Sequence, residues 1–521
     1  MVESAANVFE SEEKEQRNGT PAAAPEDQAA SEKASSSRRC PVRMYAGAPC
    51  GRPIHSAPDH DPRPVCLMHS RDLQKSNATF QKEIEAILNA AGNGIADFAK
   101  FVFPGAGHGE REFTAVCVFH SATFTRDARF YNARFMQYAD FSRATFTHNA
   151  DFRDASFTQK ADFSRATFAH NAIFRGASFM QNADFSRVTV AHNAHFNNAS
   201  FTQEGDFRTA SFNGDADFFK TNFTRKAEFS SATFMQESNF YQATFTDNAD
   251  FAWATFKEYV GFSKTSFVQI ADFTGAKFLE ATEFRETEFR GHDKDNRSSA
   301  QEFLPGPIFS LAEFSQPEAV TFYKTYLGQA LFHNCDVSKL NFSSVEWRRR
   351  RGSRKRVVFE EEVDLTSAKD LRPAKDGPDE RDYGLIAELY QQLKKNYDER
   401  KDYWTAGDFH YGELEMKRLA SRRKNKVLRW LVQHLRLVAW YKYASHYGES
   451  YVRPAIWLGA TLFFLRCCFQ RSACDTTRRK IEEVPPRLRF PSSLPMQTRS
   501  FRGNRQQIVT RRNGGSLEIA A

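Results

Sequence analysis

Between residues 119 and 289 an aromatic side chain recurs at intervals that alternate five and six residues, and only Val190 interrupts the series of Phe. A small residue precedes each Phe by two places, as in Ala139-Asp140-Phe141-Ser142-Arg143-Ala144-Thr145-Phe146 and Ala161-Asp162-Phe163-Ser164-Arg165-Ala166-Thr167-Phe168, so the repeating unit is eleven residues. A five-or-six spacing matches no α-helical face and leaves too few residues for a helix-turn-helix. The pattern predicts a β-solenoid of very short faces instead. On each face Phe and the small residue two places earlier point inward, and the Asp or Asn between them points out, as in Ala249-Asp250-Phe251.

A second period lies over the first. His148, His170 and His192 are 22 residues apart, as are Arg143, Arg165 and Arg187, and Gln159, Gln181 and Gln203. If a coil has four faces, two of five residues and two of six, these triplets stack as side-chain ladders. Duplication of a 22-residue segment is the other explanation, and it would still copy the structural unit. The fold expected is mainly β, a right-handed quadrilateral β-helix with a C-terminal α-helical region. The 32 centre positions from 119 to 289 make eight coils, and strand spacing of about 4.8 Å gives a rod of roughly 38 Å. Each buried Phe contributes about 1.5 to 3 kcal/mol against chain entropy, so the column needs neither metal nor disulfide.

These residues resemble the bacterial pentapeptide-repeat family, whose motif is a small residue, Asp or Asn, an apolar centre and two polar residues. This chain departs from it in using Phe where the family more often has Leu, and in the extra residue of alternate units, such as Phe146-Thr147-His148-Asn149-Ala150-Asp151-Phe152. The extra residue is expected to bulge one corner per pair of faces. Strict five-residue spacing returns at Phe322, Leu327, Phe332, Val337, Phe342 and Trp347.

The chain therefore divides into a disordered tail over 1–37, a zinc module over 38–70, a helix and N-terminal cap over 78–112 and the solenoid over 113–290. An excursion over 291–321, marked by Pro305, Pro307 and Pro317, precedes further coils over 322–347. A charged linker follows over 348–382, a helical hairpin over 383–421, amphipathic membrane-proximal helices over 427–465 and a disordered tail over 466–521.

Metal-ligand spacing occurs once, at Cys40, Cys50, Cys66 and His69. Three thiolates and an imidazole suit a tetrahedral structural zinc, and the C-x-x-H knuckle puts two ligands on one tight turn. With four ligands the site is closed to catalysis and serves to fold a module too small to build a core. His55 or His60 could substitute for one ligand, and chance clustering is the alternative. The segment also resembles small cysteine-rich modules that precede such repeats in some bacterial proteins. Eight Cys in 521 residues argue against a disulfide framework.

Beyond the coils, the basic run at 348–356 reads as a solvated face or loop; nucleic acid is not an expected partner, since no aromatic platform accompanies the run. Leu385, Leu389, Leu393 and Tyr397 mark one helix and residues 407–419 a second. Carboxylates such as Asp398, Asp408 and Glu413 are expected in core and surface roles rather than acid-base chemistry. Val427, Leu428, Leu431, Leu435, Val438, Ala439 and Tyr443, with Trp430 and Trp440, give a basic amphipathic helix suited to a membrane interface. The Tyr447-Gly448-Glu449-Ser450 turn and the Arg453-Pro454 pair resemble membrane-associated members of the family just before their spans. Here the apolar run from Pro454 ends at Leu465, closed by Arg466, and twelve residues reach only about 18 Å of the roughly 30 Å needed. The loss of pattern after Leu465 leads to the expectation of a C-terminus truncated or out of frame relative to its relatives.

The charge and motifs favour a non-enzymatic scaffold mediating protein-protein contacts at the cytoplasmic face of a bacterial membrane, or in the cytoplasm if the apolar run does not anchor. The first 37 residues lack the apolar core of a secretory signal. The alternative implied by the resemblance is a DNA-mimicking modulator of gyrase, but residues 111–290 hold 19 Lys and Arg against 21 Asp and Glu, 19 − 21 = −2, too neutral for strong mimicry. There is no P-loop, and Gly105, Gly107 and Gly109 do not form a dinucleotide fingerprint. The stacked His148, His170 and His192 are expected to be an exposed polar ladder rather than a metal site.

Overall fold

The computed structural model describes residues 39–55, 61, 63–289, 306–350, 354–361, 363–364, 372–373, 382–420, 430, 433–448 and 450–482. The tail expected over 1–37, His60 and residues 483–521 lie outside this set. The chain divides into two units, Met1–Tyr451 and Val452–Ala521.

In the first unit, four parallel sheets of ten, ten, eleven and nine strands wind around one core, and strands pair with the strand four places on in sequence until the last pair, Val320–Tyr323 with Asn341–Ser343, which are consecutive. Most strands are two residues long, and the pairing register is 22 residues, as in Thr145↔Thr167 and Ala150↔Ala172. The result is a solenoid of about eleven turns. Phe141, Phe146, Phe152 and Phe157 stack on Phe163, Phe168, Phe174 and Phe179 with ring centroids 4.9, 4.7, 4.9 and 4.9 Å apart. Across the core, Phe141 meets Phe152 edge to face at 5.4 Å and 84°, the arrangement that ring quadrupoles favour. Ala139, Ala144, Ala150 and Ala155 are fully buried beside them, so the small residue two places before each Phe does point inward.

Corners alternate between two kinds. At the five-residue corner, Ala144 N–H donates to Phe141 O at 3.0 Å, and the second central residue takes a left-handed backbone. From Ser121 to Glu286 such a residue recurs every eleven, and it is Gly only at Gly176 and Gly275. Each non-Gly residue there costs about 1 to 2 kcal/mol. The outward Asp offsets part of that by turning back on the corner: Asp140 Oδ1 accepts from Ser142 N–H at 2.8 Å, and Asp162 and Asp184 do likewise for Ser164 and Ser186. The six-residue corner holds the extra residue. There an Asn ladder takes over, with Asn149 Oδ1 accepting from Asn171 N–H at 3.3 Å and Asn171 Oδ1 from Asn193 N–H at 3.2 Å.

The coils reach further than residues 113–290. Ile95–Asp97 pairs with Val116–Val118, so a coil centred on Phe98, Phe103, His108 and Phe113 precedes the alternating series. His108 fills a Phe position, buried, with its ring 5.5 Å from that of Phe130. The excursion expected over 291–321 is also shorter, because Pro307–Ile308 already pairs with Ala271–Asp272 and Glu313–Phe314 with Lys277–Phe278. Pro307 starts its strand, and its carbonyl still accepts from Leu331 N–H at 3.0 Å, a position where a missing N–H is tolerated.

Both ends are covered. At the start, helix α1 (Asn77–Ala91), capped by Ser76, buries Phe80 and Ile84, and Phe80 packs edge on against Phe103 at 5.2 Å. At the far end lie helices α2 (Tyr383–Glu399) and α3 (Tyr403–Leu419), the expected hairpin, each with an Asp N-cap, Asp382 and Asp402. Asn396 Nδ2 donates to the carbonyls of Val337 and Leu340 at 3.0 and 2.7 Å, and Arg400 to those of Phe342 and Leu340 at 2.7 Å each. The described ends of the basic run are not a plain linker: Arg348–Arg349 pairs antiparallel with Arg356–Val357, while Arg349 and Arg354 remain exposed. Arg350 pairs with Glu361 at 2.6 Å and Arg356 with Asp408 at 3.0 Å, because carboxylates beside it satisfy the charges. Asp408 and Glu413 serve as ion-pair partners, the latter for Lys394 at 3.6 Å.

The amphipathic stretch over 427–465 is interrupted. Arg436 is extended (ψ 154°) ahead of helix α4 (Leu437–Ser445), while Arg418 donates to Gln433 O at 3.3 Å, so a tertiary bond replaces helical continuation. In the second unit, helix α5 (Val452–Glu482) continues through residues 466–482, which were expected to be tail. Its apolar character ends earlier than its helicity, since Arg, Gln, Lys and Glu are good helix formers.

Candidate metal centre

The N-terminal module has little apolar substance, and its backbone is shaped around four side chains. A hairpin joins Arg39 to Pro53 and Arg43 to Pro49, and its tip turns at Gly47, where φ is 80°. Cys40 and Cys50 face each other across it: Cys40 N–H donates to Arg52 O at 2.8 Å and Cys50 N–H to Val42 O at 2.8 Å. The second pair comes from one tight turn, in which His69 N–H and Ser70 N–H both donate to Cys66 O, at 3.0 and 2.9 Å.

These elements bring all four sequence-expected residues together, with their ligand atoms within 4.8 Å of one another. Cys50 Sγ lies 3.7 Å from Cys66 Sγ, Cys40 Sγ 3.5 Å from His69 Nδ1, and Cys66 Sγ 3.1 Å from His69 Nδ1. A tetrahedron with bonds of about 2.3 Å to sulfur and 2.05 Å to nitrogen has edges of roughly 3.8 and 3.6 Å, close to the first two distances. The His69 tautomer is set from behind, because Nε2 donates to Ala99 O at 3.3 Å and leaves the Nδ1 lone pair directed at the sulfurs. Cys40, Cys66 and His69 are buried. The group can hold a metal ion.

Around the cluster one thiol is favoured as the thiolate and its neighbour is not: the bond to Cys50, with burial, pushes the Cys66 thiol up. Arg52 Nη1 donates to Cys50 Sγ at 3.3 Å, and the hydrogen bond from Cys66, assisted by Arg52, draws the Cys50 thiol well below its ordinary value. Lys75 is buried and donates to three carbonyls, Leu67 O at 3.1 Å, Ser70 O at 2.7 Å and Val102 O. Burial lowers its pKa to about 7, and Cys66 acts in the opposite direction. Three acceptors match the three protons of an ammonium. His55 is not a ligand; it pairs with Asp72 at 3.4 Å.

The module is continuous with the solenoid core. His69 meets Phe101 edge on at 5.0 Å, Val102 N–H donates to Met68 O at 2.7 Å, and Tyr45 N–H donates to Asp97 at 2.9 Å. The family described as Pentapeptide repeats (9 copies) matches residues 112–156, 141–189 and 152–200. The solenoid is a pentapeptide-repeat domain. No curated protein and no solved structure matches the chain.

The surface of the pentapeptide-repeat domain carries the ladders that the 22-residue period implies. His148, His170 and His192 stack face to face at 5.7 and 5.0 Å, exposed; stacked rings do not converge their nitrogens on a metal. One face holds a column the spacing did not single out: Asp140, Asp162, Asp184, Asp206, Glu228, Asp250 and Asp272 are successive register partners. Burial, with repulsion from Asp272 and Glu228, raises Asp250 to about 6. The near-zero net charge thus conceals a sorted surface. A reading of the outward Asp at 22-residue intervals would have found the column.

Proposed function

We propose that the chain is a non-enzymatic scaffold, held at the cytoplasmic face of a membrane by its C-terminal helices and offering the ladders of its pentapeptide-repeat domain to a protein partner. The membrane part rests on helix α5. Residues Val452–Phe469 form an 18-residue stretch with mean hydropathy 1.4, none of it buried, and Ile456, Trp457, Leu458, Leu462, Phe463 and Phe464 are all exposed. The stretch is longer than the twelve residues expected, because Cys467, Cys468 and Phe469 extend it past Arg466. About 27 Å of helix approaches the hydrocarbon thickness, and Trp430, Leu437 and Trp440 add exposed apolar surface in the first unit. The scaffold part rests on a core given over to Phe, with no cleft that gathers a nucleophile, base and orienting group among the described residues.

Zinc is the metal we assign to Cys40, Cys50, Cys66 and His69, since three thiolates with one imidazole in a closed tetrahedral set are its usual structural donors. Fractionation of cells expressing the full chain or a chain lacking residues 427–521, followed by crosslinking, tests the assignment to a membrane scaffold. The full chain should sediment with membranes and the shortened one should not. Equal distribution of both would remove the membrane from the proposal. A supercoiling assay with purified gyrase should show no effect; inhibition at stoichiometric protein would favour the DNA-mimic reading.

A further inference from the structure

Where the last coil meets α2, a partly open cavity of about 260 Å³ is lined by Asp336, Glu360, Leu385, Ile386, Glu388 and Leu389. That volume lies below the few hundred Å³ of a drug-sized pocket and suits one long side chain. Glu360, on the 3₁₀ turn Phe359–Glu361, is 1% exposed. Its Oε1 accepts from Phe332 N–H at 2.5 Å, while its Oε2 is buried with no hydrogen-bond partner. Three carboxylates and no Lys or Arg line the cavity among the described residues. An unpartnered buried carboxylate oxygen costs several kcal/mol unless a donor reaches it.

We propose that this cavity binds a primary alkylammonium group, its charge on Glu360 and its chain along Leu385, Ile386 and Leu389. An ammonium suits the site better than a guanidinium, because Oε1 is already engaged and the two-pronged contact with a carboxylate is closed off. Asp336 and Glu388 supply acceptors for the remaining protons. Two sources share this chemistry, a small free amine and a lysine side chain of a partner protein. The site does not depend on membrane attachment or on the zinc assignment.

Unliganded, Glu360 is raised to about 7 by burial, with Glu361 adding to the rise, so the cation should bind the ionised form and release a proton near neutrality. The other titratable groups facing it are His333, Cys335 and Asp336 from the last coil and Glu388 from α2. Burial lowers His333 and raises Cys335, holding both neutral at pH 7, and Glu361 is paired with Arg350.

Calorimetry on the full chain with n-butylammonium, tetramethylammonium and a blocked Gly-Lys-Gly peptide tests the site. Saturable binding of n-butylammonium at pH 8 is expected, at least tenfold weaker at pH 5.5, accompanied by proton release at pH 7 and absent for tetramethylammonium, which has no N–H. Binding of the peptide as well would identify a lysine side chain as an admissible source; binding of the free amine alone would identify a small amine. Glu360→Gln should abolish the signal, and Asp336→Asn, a milder change, should weaken it severalfold. No saturable binding of either probe, equal binding of tetramethylammonium, or affinity unchanged in both variants would overturn the proposal.

Discussion

The two ends of the pentapeptide-repeat domain face the same problem and solve it with different chemistry. Each terminal coil exposes a ring of unpaired backbone groups over open Phe faces, and bare edges of this kind recruit other strands. At the start, a small module organised by Cys40, Cys50, Cys66 and His69 lies against Phe101, with α1 beside it. At the finish, α2 brings Asn396 and Arg400 directly onto the carbonyls of Val337, Leu340 and Phe342, and Trp347 Nε1 donates to Tyr397 Oη at 2.8 Å. With a metal held as proposed, the first cap would depend on metal supply and thiol state. The second is a covalently encoded plug that depends on neither.

The largest expected effect separates them directly. Chelation, or Cys66→Ser, should open the first cap, since structural zinc contributes on the order of 10 kcal/mol to modules of this size. Limited proteolysis should then cut within 39–75 while 382–420 stays protected. Protection of both ends after chelation would mean that the first cap folds on apolar contacts and that the contrast is wrong. In the opposite direction, Asn396→Ala removes one donor from each of two carbonyls, leaving Leu340 O to Arg400 and Val337 O to a long bond from Leu340 N–H at 3.4 Å, and should cost about 1 to 2 kcal/mol. Hydrogen exchange should accelerate near Val337 and Leu340 and remain unchanged near Phe98.

A pH-dependent difference lies at His108. Burial lowers its pKa to about 4, from an ordinary 6.5, so the unfolded chain binds the proton more tightly. Its contribution is therefore complete above pH 6.5 and is lost as pH falls toward 4, amounting to about 3 kcal/mol at most. His108→Phe should remove that acid sensitivity from the first coil, as measured by the slope of melting temperature against pH. The smallest effect is expected midway between the caps. Asp250, raised to about 6, favours folding when protonated, so this benefit is full below about pH 4 and is lost as pH rises through 6. Asp250→Asn keeps an acceptor for Ala252 N–H, relieves the repulsion and should stabilise the coil at pH 7 by less than about 1 kcal/mol. A destabilised variant would show that the column carries a compensating cation.

What could be read from the residues follows from how local the signal was. The Phe column, the 22-residue ladders, the helical hairpin and the Cys and His set all repeat or cluster in the chain, so spacing revealed them. The first coil was hidden because His108 takes a Phe place and its spacing there is five throughout. Phe309 and Phe314 were five apart as well, but the neighbouring Pro residues outweighed them. Arg350 with Glu361, the break at Arg436 and the Glu360 cavity depend on contacts between segments distant in sequence, and periodicity carries no trace of those. The extension of α5 past Leu465 leaves no apolar pattern, because helix propensity rather than an apolar face sustains the last turns.

The inter-coil hydrogen bonds have a mechanical consequence. They run along the stacking direction, as Thr145 N–H to Ala122 O and Thr167 N–H to Ala144 O do at 2.8 Å, so tension applied between the two ends loads them one coil at a time rather than in shear. Each coil that yields releases 22 residues, about 75 Å of extended chain, in exchange for a single stacking step. Under load the solenoid would lengthen in regular increments from whichever cap fails first.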